Sequence, residues 1–532
     1  MKKIFYMLCL IAAPLFFQAC DNLDLAPIDY AGSGNYWQNE SQVEGFMVGL
    51  HNDLREALYK NTMYYGEFRG ETMSTRTNSC GSASTVPNYI VNEISEDTPL
   101  QSNWGGFYGR IMQVNHMIEN LENGCGFLND NSRSYYKGIA YGLRAYYYFW
   151  LYRSYGGVPL ELEVKVSSGS VNAPDLYLER ATAKATMEQI KKDVETSYNN
   201  FKQTSKQRPN YYYWSKDATL MLKAEVYLWA AKVTTDDSKE PHTATGTADL
   251  QTAKSALGEL TGYTLSSDFA NLFQHSGKLR NDEVILALYF DKDEKVDKDW
   301  FRRYFYYLNF NGNAMMDEDG NDLGDELNLF GEGLLNQEYK ESLVKSFDKA
   351  DSRRAGTFFE YYRKSDGLFG CNMLKFFGQN VDATHYFDPD IILYRYADAV
   401  LMMAEIENGL TGTCAAYINQ IRQRAYGENY DSNVAYQDKS FAENELAILK
   451  ERDKEFVGEG KRWFDLLRLQ DASKRPLVFS ASAAYANDDM EPEAVLDYAT
   501  ESYKVLWPIE RSLMTYDPLL KQTINYPTKN TD

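Results

Sequence analysis

Apolar residues return every three or four positions along much of this chain, the spacing of helices that bury one face. Trp104, Phe107, Tyr108, Ile111, Val114, Ile118 and Leu121 form one such stripe, closed by Gly124. A second runs over 135–155, dense in aromatics, and meets Gly156, Gly157 and Pro159 where a helix should stop. Segments 181–198 and 216–231 predict two more, the latter with Leu220, Ala224, Tyr227 and Leu228 on one side. In the second half 393–404, 414–425 and 443–457 follow the same period. Period-two signals are scarce, and 283–290 is the best strand candidate.

The predicted fold is therefore mostly α. Pairs of helices about 15 to 20 residues long suggest tetratricopeptide-like hairpins forming a superhelical scaffold, with long loops and a few short strands. The loops at 71–100, 202–210, 234–247, 291–328 and 479–494 are longer than connections need. Binding concentrates on such loops.

The chain's start carries an address. Lys2 and Lys3 precede the apolar run 4–17 and then Gln18-Ala19-Cys20, the order of a secretory signal. That run is too short to cross a bilayer as a helix. A Cys after a small residue, with Asp21 and Asp24 following, resembles the bacterial lipobox, in which the Cys is acylated; Phe17 and Gln18 depart from its usual Leu and small residue. Residues 1–19 are thus read as a lipoprotein signal, and 20–532 as one unit with regions at about 20–235 and about 270–532. No later stretch reaches the roughly 18 apolar residues of a membrane helix, so lipid on Cys20 is the expected anchor.

Charge narrows the partners. With 532 residues, a net charge of −21 and 42 Tyr, the chain lacks the basic excess that phosphate backbones require, so nucleic acid is no partner. Its five His lie far apart in sequence, and no GxSxG, HExxH, Walker or GxGxxG pattern occurs. No enzyme is read from it. Outside the signal and Cys20, the cysteines Cys80, Cys125, Cys371 and Cys414 lack metal spacing and are read either as disulfides or as buried thiols. No cofactor is expected. Asp317, Asp319 and Asn321 have the alternate-oxygen spacing of a calcium loop, but Asp322 and Asn328 replace its glycine and bidentate Glu, which leaves only a weak calcium candidate. Arg462, Asp465 and Arg468, spaced by three, suit ion pairs along a helix face.

Several motifs carry a resemblance. The segment 451–469, ERDKEFVGEGKRWFDLLRL, resembles the C-terminal signature of the SusD/RagB family of Bacteroidetes outer-membrane lipoproteins. Tyr394-Arg395-Tyr396-Ala397-Asp398, the 418–425 segment INQIRQRA, Arg144-Ala145-Tyr146 running into Tyr155-Gly156-Gly157-Val158-Pro159, and Trp507-Pro508-Ile509 through Asn525-Tyr526 are similar too, in order along the chain. Tyr516-Asp517-Pro518 departs from the family's usual Asn-Pro step. The resemblance implies a tetratricopeptide-like fold and nutrient capture at the cell surface as the lid of a SusC-like TonB-dependent transporter in the outer membrane. Cargo is usually oligosaccharide, and peptide in the RagB branch.

Sugars offer flat apolar faces ringed by hydroxyls, so a capture site wants aromatic platforms beside polar edges. Two loops supply both. One holds Arg69, Glu71, Asn78 and Tyr89 and leads to Trp104; the other holds Trp300, Tyr304 and Tyr306. Trp104 opens an amphipathic helix and suits a core role. Trp300, in a charged loop, is expected to be the exposed platform.

Overall fold

The computed structural model describes residues 36–527 apart from 76–85, 99–103, 166–171, 279–280, 295–298, 307–313, 325, 329–333, 383 and 488–489. The first half is a succession of helices: α1 (Glu40–Leu58), short α2 (Asn61–Gly66), α3 (Gly105–Asn123), α4 (Asp130–Tyr155), α5 (Ala183–Phe201), α6 (Lys216–Lys232) and α7 (Thr247–Gly258). Asn39, Asn129, Thr182 and Ser215 start α1, α4, α5 and α6 by accepting a first-turn amide that would otherwise lack a partner. The Asn129 cap explains why α4 begins at Asp130, ahead of the predicted 135.

Helix α4 is the axis of this half. Nearly every residue from Ser134 to Tyr155 is buried, because α3 and α5 flank it while α6 packs on α5, α7 on α6, and α1 on α3. Arg144 crosses to Asp193 on α5 through two bonds of 2.7 and 2.8 Å, a bidentate fork that fixes the register of the pair. Contact is close: a Cβ on Gly142 would lie 2.1 Å from Trp214 Nε1. Any larger residue there would push α4 off its neighbours.

Residues 259–395 interrupt the helical array and carry the strands. They comprise β1 (Val284–Leu288), α8 (Asp299–Phe305), β2 (Met315–Met316), α9 (Glu341–Lys345), α10 (Ser352–Thr357), β3 (Phe358–Arg363), β4 (Phe369–Met373), β5 (Gln379–Val381), β6 (Thr384–Tyr386) and β7 (Ile391–Arg395). All pairings are antiparallel: β1 with β7, β2 with β3, β3 with β4, and β5 with β6. Then follow α11 (Tyr396–Thr411), α12 (Ala415–Tyr426), α13 (Phe441–Phe456), α14 (Arg462–Arg468), α15 (Tyr498–Glu501) and α16 (Arg511–Tyr516). Helix α11 packs on α7, α12 and α13, so the array resumes where it broke off.

The fold is mostly α and tetratricopeptide-like, as expected. One boundary is corrected: 393–395 belong to β7, and the helix predicted from 393 begins at Tyr396. A short, fully buried apolar run reads alike as strand or helix, and pairing with β1 decides it. A single apolar cluster reaches from Val43 on α1 to Tyr526 near the end. Cys125, Cys371 and Cys414 are buried, while Cys80 and Cys20 lie outside the described residues. No helix among the described residues is long and apolar enough to cross a membrane.

Candidate functional site

Three of the residues singled out in sequence come together, joined by two that were not. Trp300 and Tyr304 stand four apart on α8, and their rings stack at 4.5 Å and 27°. Phe68, just after α2, lies beside both rings, 5.4 Å from Tyr304 and 6.1 Å from Trp300. Tyr64 on α2 and Tyr89 from the first loop close the group edge-on to one another at 5.8 Å. Their polar ends converge. The Tyr304 hydroxyl lies 3.0 Å from that of Tyr64 and 3.4 Å from that of Tyr89, and Trp300 Nε1 donates to Tyr64 Oη at 3.2 Å. Burial raises all three phenols above their ordinary pKa, which keeps them neutral and able both to donate and to accept.

This arrangement corrects the picture of Trp300 as an exposed platform. Its ring is only 6 % exposed, covered by Tyr304 and by Phe301 at 5.0 Å. The helical spacing that puts Trp300 and Tyr304 on one face turns them toward each other. Tyr89 is 4 % exposed, and Tyr304 is the most accessible ring of the five. Tyr64 and Phe68 were missed, although the run Met63-Tyr64-Tyr65-Gly66-Glu67-Phe68 carries a readable signal: two rings four apart.

Other expected residues are used elsewhere. Arg69 is fully buried between the rings of Trp463 and Trp507, 3.9 and 4.7 Å away, with Nε donating to Asn92 Oδ1 at 2.8 Å and a further bond to the Lys504 carbonyl. A guanidinium so placed ties the chain's two ends together and has no open face. Tyr306 is buried against Phe387 and Phe377. Trp104 packs edge-on against Tyr155 at 5.2 Å, in the core role its helix position indicated. Asn78 lies outside the described residues.

Glu71 sits at a cleft. It is paired with Lys340 and accepts the Tyr485 amide at 3.0 Å, which pins the first loop to the 485–495 segment. Between them is a cleft of about 160 Å³ whose lining includes Ile90, Val91, Asn92 and Met490. Val91 and Met490 are exposed, so apolar surface adjoins charged groups there.

The weak calcium candidate folds into a turn. Asp317 Oδ1 accepts the amides of Asp319 and Asn321, and Asn321 Nδ2 donates to Asp317 Oδ2 at 2.9 Å. The Asp317 carboxylate is thus used in closing a turn. Among the described residues no group of three or more His, Cys, Asp or Glu could hold a metal.

A model of the SusD family matches residues 227–526. The chain belongs to the SusD family. A second model, described as starch-binding associating with outer membrane, matches 30–228, so the two together span nearly all the described residues. A SusD superfamily protein of Bacteroides fragilis is 34% identical, covering 92% of this chain and 100% of its own, with a TM-score of 0.81. B. fragilis NanU is 31% identical over 95% of this chain and 100% of its own, with a TM-score of 0.79. The SusD-like protein P38 of Formosa agariphila is 22% identical over 96% of both chains. The protein is thus a member of a glycan-binding family associated with the outer membrane.

Proposed function

We propose that this SusD-family protein captures oligosaccharides at the cell surface and passes them, without chemistry, to a SusC-like TonB-dependent transporter. The observation that carries the reading is the Tyr64, Tyr89, Trp300 and Tyr304 group, in which rings from three separate segments meet with their polar ends together. The accessible ring of Tyr304 would lie against a sugar face while neutral phenols bond its hydroxyls. The starch-binding description of the matched N-terminal region supports the same cargo class.

Delivery needs weak, reversible holding, which suits a site of few rings. Anchoring would come from acylation of Cys20 after removal of 1–19. Calorimetry with separate oligosaccharide and peptide pools tests the cargo. Heat from the oligosaccharides alone is expected; heat from the peptides alone would move the protein to the peptide-uptake branch. Cys20→Ala should leave the membrane fraction when the transporter is absent, and retention after high-salt washing would disprove lipid anchoring.

A further inference from the structure

Tyr89 reaches the ring group at Tyr304 from a short turn. Ile90 N donates to the Pro87 carbonyl at 2.9 Å and Glu93 N to the Asn88 carbonyl at 2.8 Å. The turn ends at Asn92 with φ 55°, a left-handed backbone that Gly, Asn and Asp tolerate best. Tyr89 meets Phe68 at 5.5 Å and Tyr64 at 5.8 Å, and its hydroxyl lies 3.4 Å from that of Tyr304. A hydroxyl approach that long holds a ring weakly. The place of Tyr89 is therefore set by whatever anchors its turn.

That anchor is Arg69. Its Nε donates to Asn92 Oδ1 at 2.8 Å, and Asn92 Nδ2 turns back to the Arg69 carbonyl at 3.5 Å. The guanidinium is itself fixed, with the indoles of Trp463 and Trp507 against it and Nη2 donating to the Lys504 carbonyl. Among the described residues no carboxylate pairs with it, and Nη1 has no acceptor, so the Asn92 oxygen is one of only two acceptors this buried cation has. Bonds from an ionised donor are stronger than neutral ones, and one left unmade inside the protein is costly.

Arg69 also follows Phe68 directly, so the backbone that sets Phe68 beside Tyr304 and Trp300 carries the group that holds the Tyr89 turn. Farther along, Arg511 Nη2 donates to Glu96 Oε1 at 2.6 Å. The loop thus stays attached when the Asn92 bond is cut, and what is released is the turn. We propose that Arg69 and Asn92 are positioning residues for sugar capture, their clamp holding the 87–93 turn so that Tyr89 completes the ring group. Neither side chain touches the sugar. The inference rests on the capture reading above. A preset turn spares binding the cost of ordering it, and affinity is not divided by the fraction of molecules in which Tyr89 stands elsewhere.

Arg69→Met would perturb the slot between two indoles and test folding as much as capture, so the test falls on Asn92. Glycine there keeps the left-handed backbone and removes the clamp; aspartate keeps the acceptor. Calorimetry well below the melting points, with the oligosaccharide that wild type takes from a mixed pool, compares wild type, Asn92→Gly, Asn92→Asp, Tyr89→Ala and the Tyr89→Ala/Asn92→Gly double variant. Asn92→Gly should weaken binding about fivefold, as if a fifth of the molecules kept Tyr89 in place, and Asn92→Asp should stay within about twofold of wild type. In the Tyr89→Ala background Asn92→Gly should change affinity by less than about twofold, because the clamp acts through that ring.

A purely structural role would lower the melting temperature and leave the folded protein's affinity alone. Unchanged affinity in Asn92→Gly, an Asn92→Asp as weak as Asn92→Gly, or an equal loss with and without Tyr89 would overturn the proposal. Tyr304→Ala, measured alongside, separates the two readings. Binding that depends on Tyr304 and not on Asn92 overturns the clamp alone. No binding by wild type, or binding indifferent to Tyr304→Ala, overturns capture at this site and the clamp with it.

Discussion

Asp465 accepts from Arg468, one turn along α14, at 2.9 Å and from Arg452 on α13 at 2.7 Å, while Arg462, one turn the other way, turns to Asp453 at 2.6 Å. Of the two spacings of three in this helix, only one is an ion pair. Arg468 goes on to Glu405 on α11 at 2.9 Å, and Glu405 to Lys232 on α6 at 2.6 Å, so buried charge links four helices. Glu405 is held down to about 2 despite burial, because Arg468 and Lys232 favour its ionised form. Asp465→Ala would take one carboxylate from two buried guanidiniums, leaving Arg452 on Asp398 and Arg468 on Glu405, and should cost about 1–4 kcal/mol in urea unfolding. Affinity for cargo in the folded fraction should not change. A loss below about 1 kcal/mol would mean that water reaches the network.

His51 makes a second, pH-dependent link. Its Nδ1 bonds the Met47 carbonyl at 2.8 Å and its Nε2 accepts the Trp214 amide at 2.8 Å, which requires the neutral ring with the proton on Nδ1. Burial lowers its pKa to about 4. The folded value is below the unfolded one of about 6.5, so the contribution is complete above pH 6.5 and is lost as pH falls toward 4. Its full size is on the order of 3 kcal/mol. The melting temperature of His51→Gln should therefore lie below wild type at pH 7.5 and converge on it near pH 4. A constant gap across that range would show that His51 does not titrate in the native state.

Glu67 has the opposite sign. It lies between Tyr64 and the Gly458 turn, with Oε1 accepting from the Gly458 amide at 3.2 Å and the Tyr339 hydroxyl at 3.3 Å, and Oε2 without a partner. Burial pushes its carboxyl up to about 7. The folded pKa exceeds the unfolded value, so its stabilising effect is present below about pH 4.5 and is lost as pH rises through 7. Glu67→Gln should raise the melting temperature at pH 8 and leave it nearly unchanged at pH 5. A drop at pH 8 would mean that the native fold needs the charge.

The helices were legible because their stripes and caps are local. Asn129 and Ser215 start helices by chemistry that needs no tertiary partner. The inserted strands were mostly not legible: β7 pairs Ile391 with Leu288 of β1, a match made by tertiary structure across about a hundred residues. The candidate site was half legible. Sequence can place Trp300 and Tyr89 on long loops, yet only the fold brings Phe68 and Tyr64 beside them and so decides which rings are covered. Arg69 looked free for the same reason, since the indoles that enclose it lie at positions 463 and 507.

That covering changes how capture should be tested. Trp300 is buried and stacked, so Trp300→Ala opens a cavity and should cost about 3–5 kcal/mol of stability, which mixes unfolding with any loss of binding. Tyr304 is the cleaner probe. Its ring is the accessible end of the group and its hydroxyl meets two others. A ring lying on a sugar face contributes roughly 1–3 kcal/mol, so Tyr304→Ala should weaken oligosaccharide binding about tenfold or more. Tyr304→Phe keeps the stack and removes only the shared hydroxyl; it should weaken binding by less. Calorimetry on the three proteins at a temperature well below their melting points, followed by chromatography of the recovered ligand, reads both affinity and chemistry. Equal affinities in all three would remove Tyr304 from the capture site, and shortened ligand would replace capture with catalysis.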